Sequence, residues 1–259
     1  MLSRFELRAV RRATWGHAAI TGASSGIGAA LAQLLAMEPR ILSLAGRDAH
    51  RLDGVVTACA GHGAEAHGRR VDVTRPHTLR AWMERRAAAG PIDLLIASAG
   101  VIDDPDRTPR EVAEVNFVGI INTVEAALPH MARHGQIAVL SSLAAWRAQP
   151  SAPVYAASKA AVRLYAEAIR GRLERQGLAI SVVSPGFVAT PMLHRWSGAK
   201  RQALTAEQAA GIILDGLARR QPTIAFPRTM YAKARLMAVL PATVVDATAW
   251  LAGRARQRA

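Results

Sequence analysis

Short apolar runs alternate with longer segments of helical period from residue 17 to residue 227. The runs at residues 17–21, 40–45, 92–97, 136–140 and 179–183 have the length and apolar content of strands buried on both faces. A further run ends at Val71-Asp72-Val73, and a last one occupies residues 222–227. Between them, residues 29–37, 52–60, 109–133, 155–176 and 205–220 read as helices, with Thr205 placed as an N-cap. This alternation predicts an α/β fold, a three-layer doubly wound parallel sheet whose ligands bind at the carboxyl ends of the strands. No linker, low-complexity block or repeat interrupts it. One domain is therefore expected over residues 1–259, with its core at 17–227 and a helical C-terminal extension at 228–259. In the extension, residues 230–240 are apolar on one side, Pro241 breaks the pattern, and residues 242–252 follow with Val244, Val245, Trp250 and Leu251. Residues 1–15 have the pattern of a short basic amphipathic helix, with Leu2, Phe5 and Ala9 on one side.

Composition narrows the setting. No apolar run is long enough to cross a bilayer as a helix, and the N-terminal stretch does not read as a secretory signal. Cys59 is the single cysteine, so no internal disulfide forms. A cytoplasmic location is expected. The eight histidines show no metal-ligand spacing, and no metal is expected. The net charge of +14 is carried mostly by the two ends, with +3 on residues 1–16 and +8 on residues 194–259. An arginine-rich solvated surface explains this. So does a basic face for anionic lipid, a phosphorylated ligand or an acidic partner. Nucleic acid is not expected, because no nucleic-acid module or aromatic platform accompanies the charge. For the extension three readings stand: packing on the body or on a second subunit, peripheral contact with an anionic membrane at its inner face, and a wall of the substrate pocket.

The chemistry sits where strands give way to helices. Gly22-Ala23-Ser24-Ser25-Gly26-Ile27-Gly28 follows the first strand and opens a helix. Glycines there permit a tight turn and close approach of a pyrophosphate, which the free N–H groups of the helix N-terminus then meet. After the second strand stands Gly46-Arg47, where NAD-binding folds place an acid on the ribose hydroxyls. A carboxylate would repel a 2′-phosphate and a guanidinium pairs with it, so NADP(H) is favoured over NAD(H). Asp72 is placed either to accept from an adenine amino group or to cap the helix near Pro76. Asn116, among apolar helix neighbours, is a structural hydrogen-bonder or an active-site anchor. Tyr155 and Lys159 lie one turn apart on one helix face. A nearby cation favours the phenolate and lowers a phenol pKa that is otherwise near ~10, which suits proton exchange near neutrality.

Taken in order, these motifs resemble the short-chain dehydrogenase/reductase family over about residues 17–227. The stretch Thr21–Gly28 is similar to its cofactor loop, and Asp72-Val73 to its adenine-contacting pair. Asn116, Ser142, Tyr155 and Lys159 match its catalytic tetrad, with the serine thirteen residues before the tyrosine. Pro185, Gly186 and Thr190, with Val188 between them, match the stretch flanking the nicotinamide. Two departures stand out. Ala97-Ser98-Ala99-Gly100 replaces the usual Asn-Asn-Ala-Gly, and the chain continues past Pro227. The resemblance implies a Rossmann fold and a cofactor site that includes Ser98, Ala99, Gly100, Tyr155 and Lys159. It implies hydride transfer between nicotinamide and a carbonyl or alcohol carbon, with Tyr155 exchanging the proton and Ser142 orienting the oxygen. Lys159 would hold the nicotinamide ribose, and Asn116 a water leading to solvent. It also implies a homo-oligomer, a dimer or tetramer. Leu143, Trp146, Val154, Phe187, Met192 and Trp196 fall near the implied pocket and suggest an apolar substrate. An NAD-dependent alcohol dehydrogenase of the same family and a non-catalytic NADP-binding or membrane-surface regulator are the competing readings.

Overall fold

The computed structural model of the protein describes residues 15–196 and 203–241. The expectations for residues 1–14 and 242–252 lie outside the described residues. The strands are β1 (His17–Thr21), β2 (Ile41–Gly46), β3 (Glu65–Arg70), β4 (Ile92–Ala97), β5 (Met131–Leu140), β6 (Ala179–Pro185) and β7 (Thr223–Phe226). They form one parallel sheet in the order β3-β2-β1-β4-β5-β6-β7. The helices are α1 (Gly26–Leu35), α2 (Ala49–Gly61), α3 (Pro76–Ala87), α4 (Pro109–Ala113), α5 (Gly119–Ala127), α6 (Pro153–Arg175), α7 (Pro191–His194), α8 (Ala206–Ala218) and α9 (Arg228–Val239).

Every residue of β1 is buried, as expected of a central strand covered on both sides. One core lies between the sheet and α1, α2 and α8, where Leu31, Leu35, Leu52 and Ile213 meet Ile20 and Leu44. The other joins α3, α5 and α6 to the opposite face through Leu79, Met83, Ile120, Val124 and Val162. This is the three-layer doubly wound arrangement read from the alternation. Cys59 is buried in the first core, and burial pushes its thiol up to about 11, which leaves it unreactive. The strand order reverses between β1 and β4, and the crevice at their carboxyl ends is where such sheets bind ligands.

Three local expectations are corrected. The helix expected over residues 109–133 ends at Ala127, because Pro129 turns the chain into a short 3₁₀ segment, Leu128–His130. β5 therefore starts at Met131 rather than residue 136, with a register shift against β4 between Ile92 and Leu94. The same helix is not uniform, since a π-helical turn, Glu114–Val118, separates α4 from α5 and holds Asn116. β3 stops at Arg70, so Val71-Asp72-Val73 form the loop beyond it. There Asp72 accepts from the Thr74 N–H at 2.9 Å and hydroxyl at 2.8 Å, and makes no cap on α3.

Candidate active site

The glycine turn is shaped by contacts that a side chain would block. Gly22 and Gly26 have φ of +72° and +57°, in the left-handed region that favours glycine. A Cβ on Gly22 would stand 2.7 Å from the backbone N of Ala99, so the turn lies directly on the segment after β4. A Cβ on Gly28 would overlap the carbonyl oxygen of Gly22 and stand 3.3 Å from the Ser98 hydroxyl. Ser98 thus fills a narrow place beneath the turn. Gly46, at the end of β2, is held by Ser24, whose Cβ would be 2.9 Å from a Cβ placed there. Ser25 stands at the N-cap of α1 without a side-chain capping bond, which leaves the first-turn N–H groups open to an external acceptor. Gly26 also meets Thr190, whose Cγ2 would be 3.1 Å from a Cβ on it, so the residue expected beside the nicotinamide closes over the turn.

At the outer end of this crevice Arg47 is exposed and makes no hydrogen bond or ion pair among the described residues, and its charge acts on the Glu111 carboxyl only through space. The adjacent carboxylate is already engaged: Asp48 accepts from the Arg51 backbone N–H at 3.0 Å and from its Nε at 2.7 Å, capping α2. Asp72 retains one oxygen outside its Thr74 bonds. The Val73 carbonyl accepts from Asn122 at 3.0 Å, a support that no motif announced.

The second half of the site forms where β5 gives way to α6. Ser142 caps a 3₁₀ turn, Leu143–Trp146, by accepting from the Ala144 N–H at 3.1 Å. Its side chain lines the same cavity as Tyr155. Ser141, next to it, is spent on structure and donates to the Lys159 carbonyl at 2.8 Å. The α6 backbone is fixed at its start by Asp103, which accepts from the Tyr155 N–H at 3.2 Å. Lys159 is buried, lies 5.8 Å from the centroid of the Tyr155 ring and donates to the Leu140 carbonyl at 2.8 Å.

Burial decides the electrostatics here. It raises the Tyr155 phenol above its ordinary value, against the opposing pull of the nearby Ser142 hydroxyl. Burial also pushes Lys159 down to about 8. The lowered phenol expected from the Tyr–Lys spacing is thus not the net direction in this protein, because the phenol and the ammonium are desolvated together. Asn116 is fully buried in the π turn. Its Oδ1 accepts from the Val101 N–H at 2.7 Å, and its Nδ2 donates to the Val101 carbonyl at 2.8 Å and to Ser158 at 3.0 Å. Both amide hydrogens are committed, so the side chain ties the segment after β4 to α6. Gly100 completes the grouping: a Cβ there would lie 3.2 Å from Lys159 Nζ and 3.3 Å from Asn116 Oδ1.

A cavity of about 590 Å³ opens beside Ser142 and Tyr155 and reaches Ile27, Pro185, Gly186, Val188 and Thr190. Its walls include Leu143, Phe187, Met192 and Trp196, as expected. Trp146 and Val154 are not among them. Val154 packs on the core beneath α6. Trp146 lies between the guanidiniums of Arg163, at 4.2 Å from its ring, and Arg235, at 5.0 Å, with Tyr231 edge-on at 5.4 Å. That cluster docks α9 onto the turn after Ser142. As a result Met230, Ala234 and Met237 of α9 face the cavity, the pocket-wall reading of the extension. Across the mouth, Phe187 stacks on Trp196 at 4.8 Å, Trp196 donates to Ser151 at 3.1 Å, and Arg195 pairs with Asp104 at 2.9 Å.

These features fit a nicotinamide dinucleotide: a glycine cradle under an uncapped helix N-terminus at the sheet's switch point, leading to a hydroxyl pair in an apolar cavity. They define the class, an oxidoreductase using NAD(P). Comparison with known proteins narrows it. The family model described as short chain dehydrogenase matches residues 16–201. An uncharacterized oxidoreductase of Myxococcus xanthus is 30% identical over 241 residues, covering 90% of this chain and 95% of that protein. A short-chain dehydrogenase/reductase of Burkholderia phymatum, solved with NAD, superposes with a TM-score of 0.77 at 26% identity, over 85% of this chain and 92% of that one. A short-chain dehydrogenase of Burkholderia cenocepacia, solved with NADP, gives 0.71 at 28% identity, over 80% and 93%. The chain belongs to the short-chain dehydrogenase/reductase family. Among the described residues no helix is long and apolar enough to cross a membrane, and no cluster of His, Cys, Asp or Glu could hold a metal ion.

Proposed function

We propose that the protein is an NADP(H)-dependent reductase of apolar carbonyl compounds. The observation that carries this reading is that Ser142 and Tyr155 together line an apolar cavity continuous with the glycine turn. When bound, the nicotinamide supplies the hydride. The chain's own residues do the rest. Ser142 donates to the carbonyl oxygen and holds it against Tyr155. Tyr155 delivers the proton to that oxygen, and its raised pKa keeps it protonated at neutral pH, the form that reduction requires. Lys159 stands behind Tyr155 as the cation that compensates the phenolate left after transfer. Asn116 positions α6 and the segment after β4. Gly22, Ser24, Ser25, Gly26, Ile27 and Gly28 are assigned to the pyrophosphate, and Asp72 and Val73 to the adenine. Ser98, Ala99 and Gly100 support the turn, and Pro185, Gly186, Val188 and Thr190 form the nicotinamide side.

The preference for NADP(H) rests on Arg47. Its guanidinium is exposed at the end of β2, acts on Glu111 only through space and makes no hydrogen bond or ion pair among the described residues, whereas Asp48, the neighbouring carboxylate, is held in the α2 cap. Titration of the protein with each reduced cofactor, followed by fluorescence, is expected to show tighter binding of NADPH. In Arg47→Asp, NADPH affinity should fall by about 30–100-fold, the equivalent of roughly 2–3 kcal/mol for a charge-assisted bidentate contact, while NADH affinity changes little. Tighter binding of NADH by the unaltered protein would overturn the assignment. Turnover is tested with aliphatic, steroid and aromatic ketones. Absence of NADPH-dependent reduction across that set would remove the catalytic reading.

A further inference from the structure

The cavity beside Tyr155 is apolar along most of its wall, yet two charged side chains line it, and both are cationic: Arg147 and Lys233. No Asp or Glu lines it among the described residues. Arg147 ends the turn that starts at Ser142, and Lys233 comes from α9, beyond the part of the chain that the family model matches. Each is exposed, and among the described residues neither has a hydrogen-bond or ion-pair partner. Ser142, by contrast, is buried. The cavity therefore runs from the buried Ser142 hydroxyl and the half-buried Tyr155 to a mouth that carries two uncompensated positive charges. The neighbouring arginines are not equivalent. Arg163 and Arg235 stack on Trp146, and Arg195 is neutralised by Asp104. Lys233 is also one of only three lysines in an arginine-rich chain, and it shares its helix face with Met230, Ala234 and Met237.

We propose that the substrate is an amphipathic oxo acid: a carbonyl and apolar body that fill the cavity, and an anionic group at the far end received by Arg147 and Lys233. This rests on the carbonyl-reductase reading and adds the charge of the substrate to it. Apolar burial supplies affinity, and the cations select the molecules whose outer end is negative and fix which end enters first. Because both cations are exposed, their attraction is screened by salt.

The test compares oxo acids with their methyl esters, for example 8-oxononanoate and 10-oxoundecanoate against the corresponding esters, with NADPH. The acids should show kcat/KM at least about 10-fold higher at low ionic strength, the difference lying in KM and shrinking in 0.5 M salt. The Arg147→Ala/Lys233→Ala double variant should bring the acid-to-ester ratio close to one, and Lys233→Glu should favour the ester. An equal or inverted ratio in the unaltered protein at every chain length overturns the proposal, as does a ratio that the double variant leaves in place. A binding arm separates this from failure of the carbonyl-reductase reading. Trp196 lines the cavity, so tryptophan fluorescence reports occupancy without turnover. Dodecanoate or dodecyl phosphate should bind more tightly than dodecanol, in a salt-sensitive manner lost in the double variant. Whichever anion binds better identifies the head group. Equal binding of all three overturns anion recognition whether or not any ketone is reduced.

Discussion

Replacing Tyr155 by Phe is expected to lower kcat for carbonyl reduction by roughly 10³-fold, within the range that a positioned general acid contributes. The substitution removes one oxygen and keeps the ring. The backbone of residue 155 stays fixed by Asp103, and α6 stays anchored through Ser141 and Ser158, none of which depends on the phenol. The Lys159–Leu140 bond is likewise independent of it. What is lost is the single proton that the phenol holds beside Ser142, a proton that burial keeps in place at neutral pH. NADPH affinity should therefore fall far less than turnover, and the protein should melt within a few degrees of the parent. Single-turnover oxidation of NADPH, followed by its absorbance with a saturating ketone, checks this directly. A variant that still reduces ketones within 10-fold of the parent would show that the proton comes from elsewhere.

The part of the site that was legible in the sequence is the part whose geometry is local. Gly22 to Gly28 form one turn, and Tyr155 and Lys159 share one helix face, so spacing alone brings these residues together. Strand–helix alternation then carries both groups to the same edge of a parallel sheet, because right-handed crossovers leave few other arrangements. Long-range docking was not legible. The spacing of Met230, Lys233, Ala234 and Met237 is that of any amphipathic helix, and nothing in it says whether the face meets a subunit, a membrane or a cavity. In the described part of the extension Trp146 binds Tyr231 and Arg235 and holds α9 on the body beside the pocket. The Arg195–Asp104 pair, which joins residues 91 apart, escapes a local reading for the same reason. The π turn at Asn116 leaves no mark on the apolar period, since an extra residue in one turn shifts the pattern by less than the spread of a helix face. The direction of the Tyr155 pKa was missed because spacing shows which cation is near and not how dry the pair becomes.

That dryness makes Lys159→Met the sharpest test of how the site is built, because it should move activity and stability in opposite directions. Lys159 is buried, donates to the Leu140 carbonyl and forms no ion pair with a carboxylate among the described residues, and burial brings it from 10.5 to about 8. At neutral pH the folded protein holds an ammonium that burial disfavours by roughly 3 kcal/mol, and the bond to the Leu140 carbonyl offsets about 1 kcal/mol when the side chain is removed. Methionine fills similar space without charge, so the variant should be more stable by about 2 kcal/mol and melt roughly 5 °C higher. The sign follows from proton binding. Below about pH 8 the lysine is charged in both folded and unfolded chains and the penalty is fully present. Between about 8 and 10.5 the unfolded chain binds more protons than the folded one, so the parent gains stability as pH rises and the advantage of the variant disappears. Turnover should nevertheless drop by about 10²-fold or more, because no cation remains to compensate the phenolate that Tyr155 leaves after proton transfer. In the parent, kcat/KM for reduction should decline above about pH 8 as that cation is titrated, with the pH-independent remainder resembling the variant. Thermal melts and rate profiles across this pH range decide it. A destabilised variant would mean that Lys159 is a structural ion, and a stabilised variant with intact turnover would remove it from the chemistry. Gain of stability with loss of rate is the pattern of a residue kept for function against its cost to the fold.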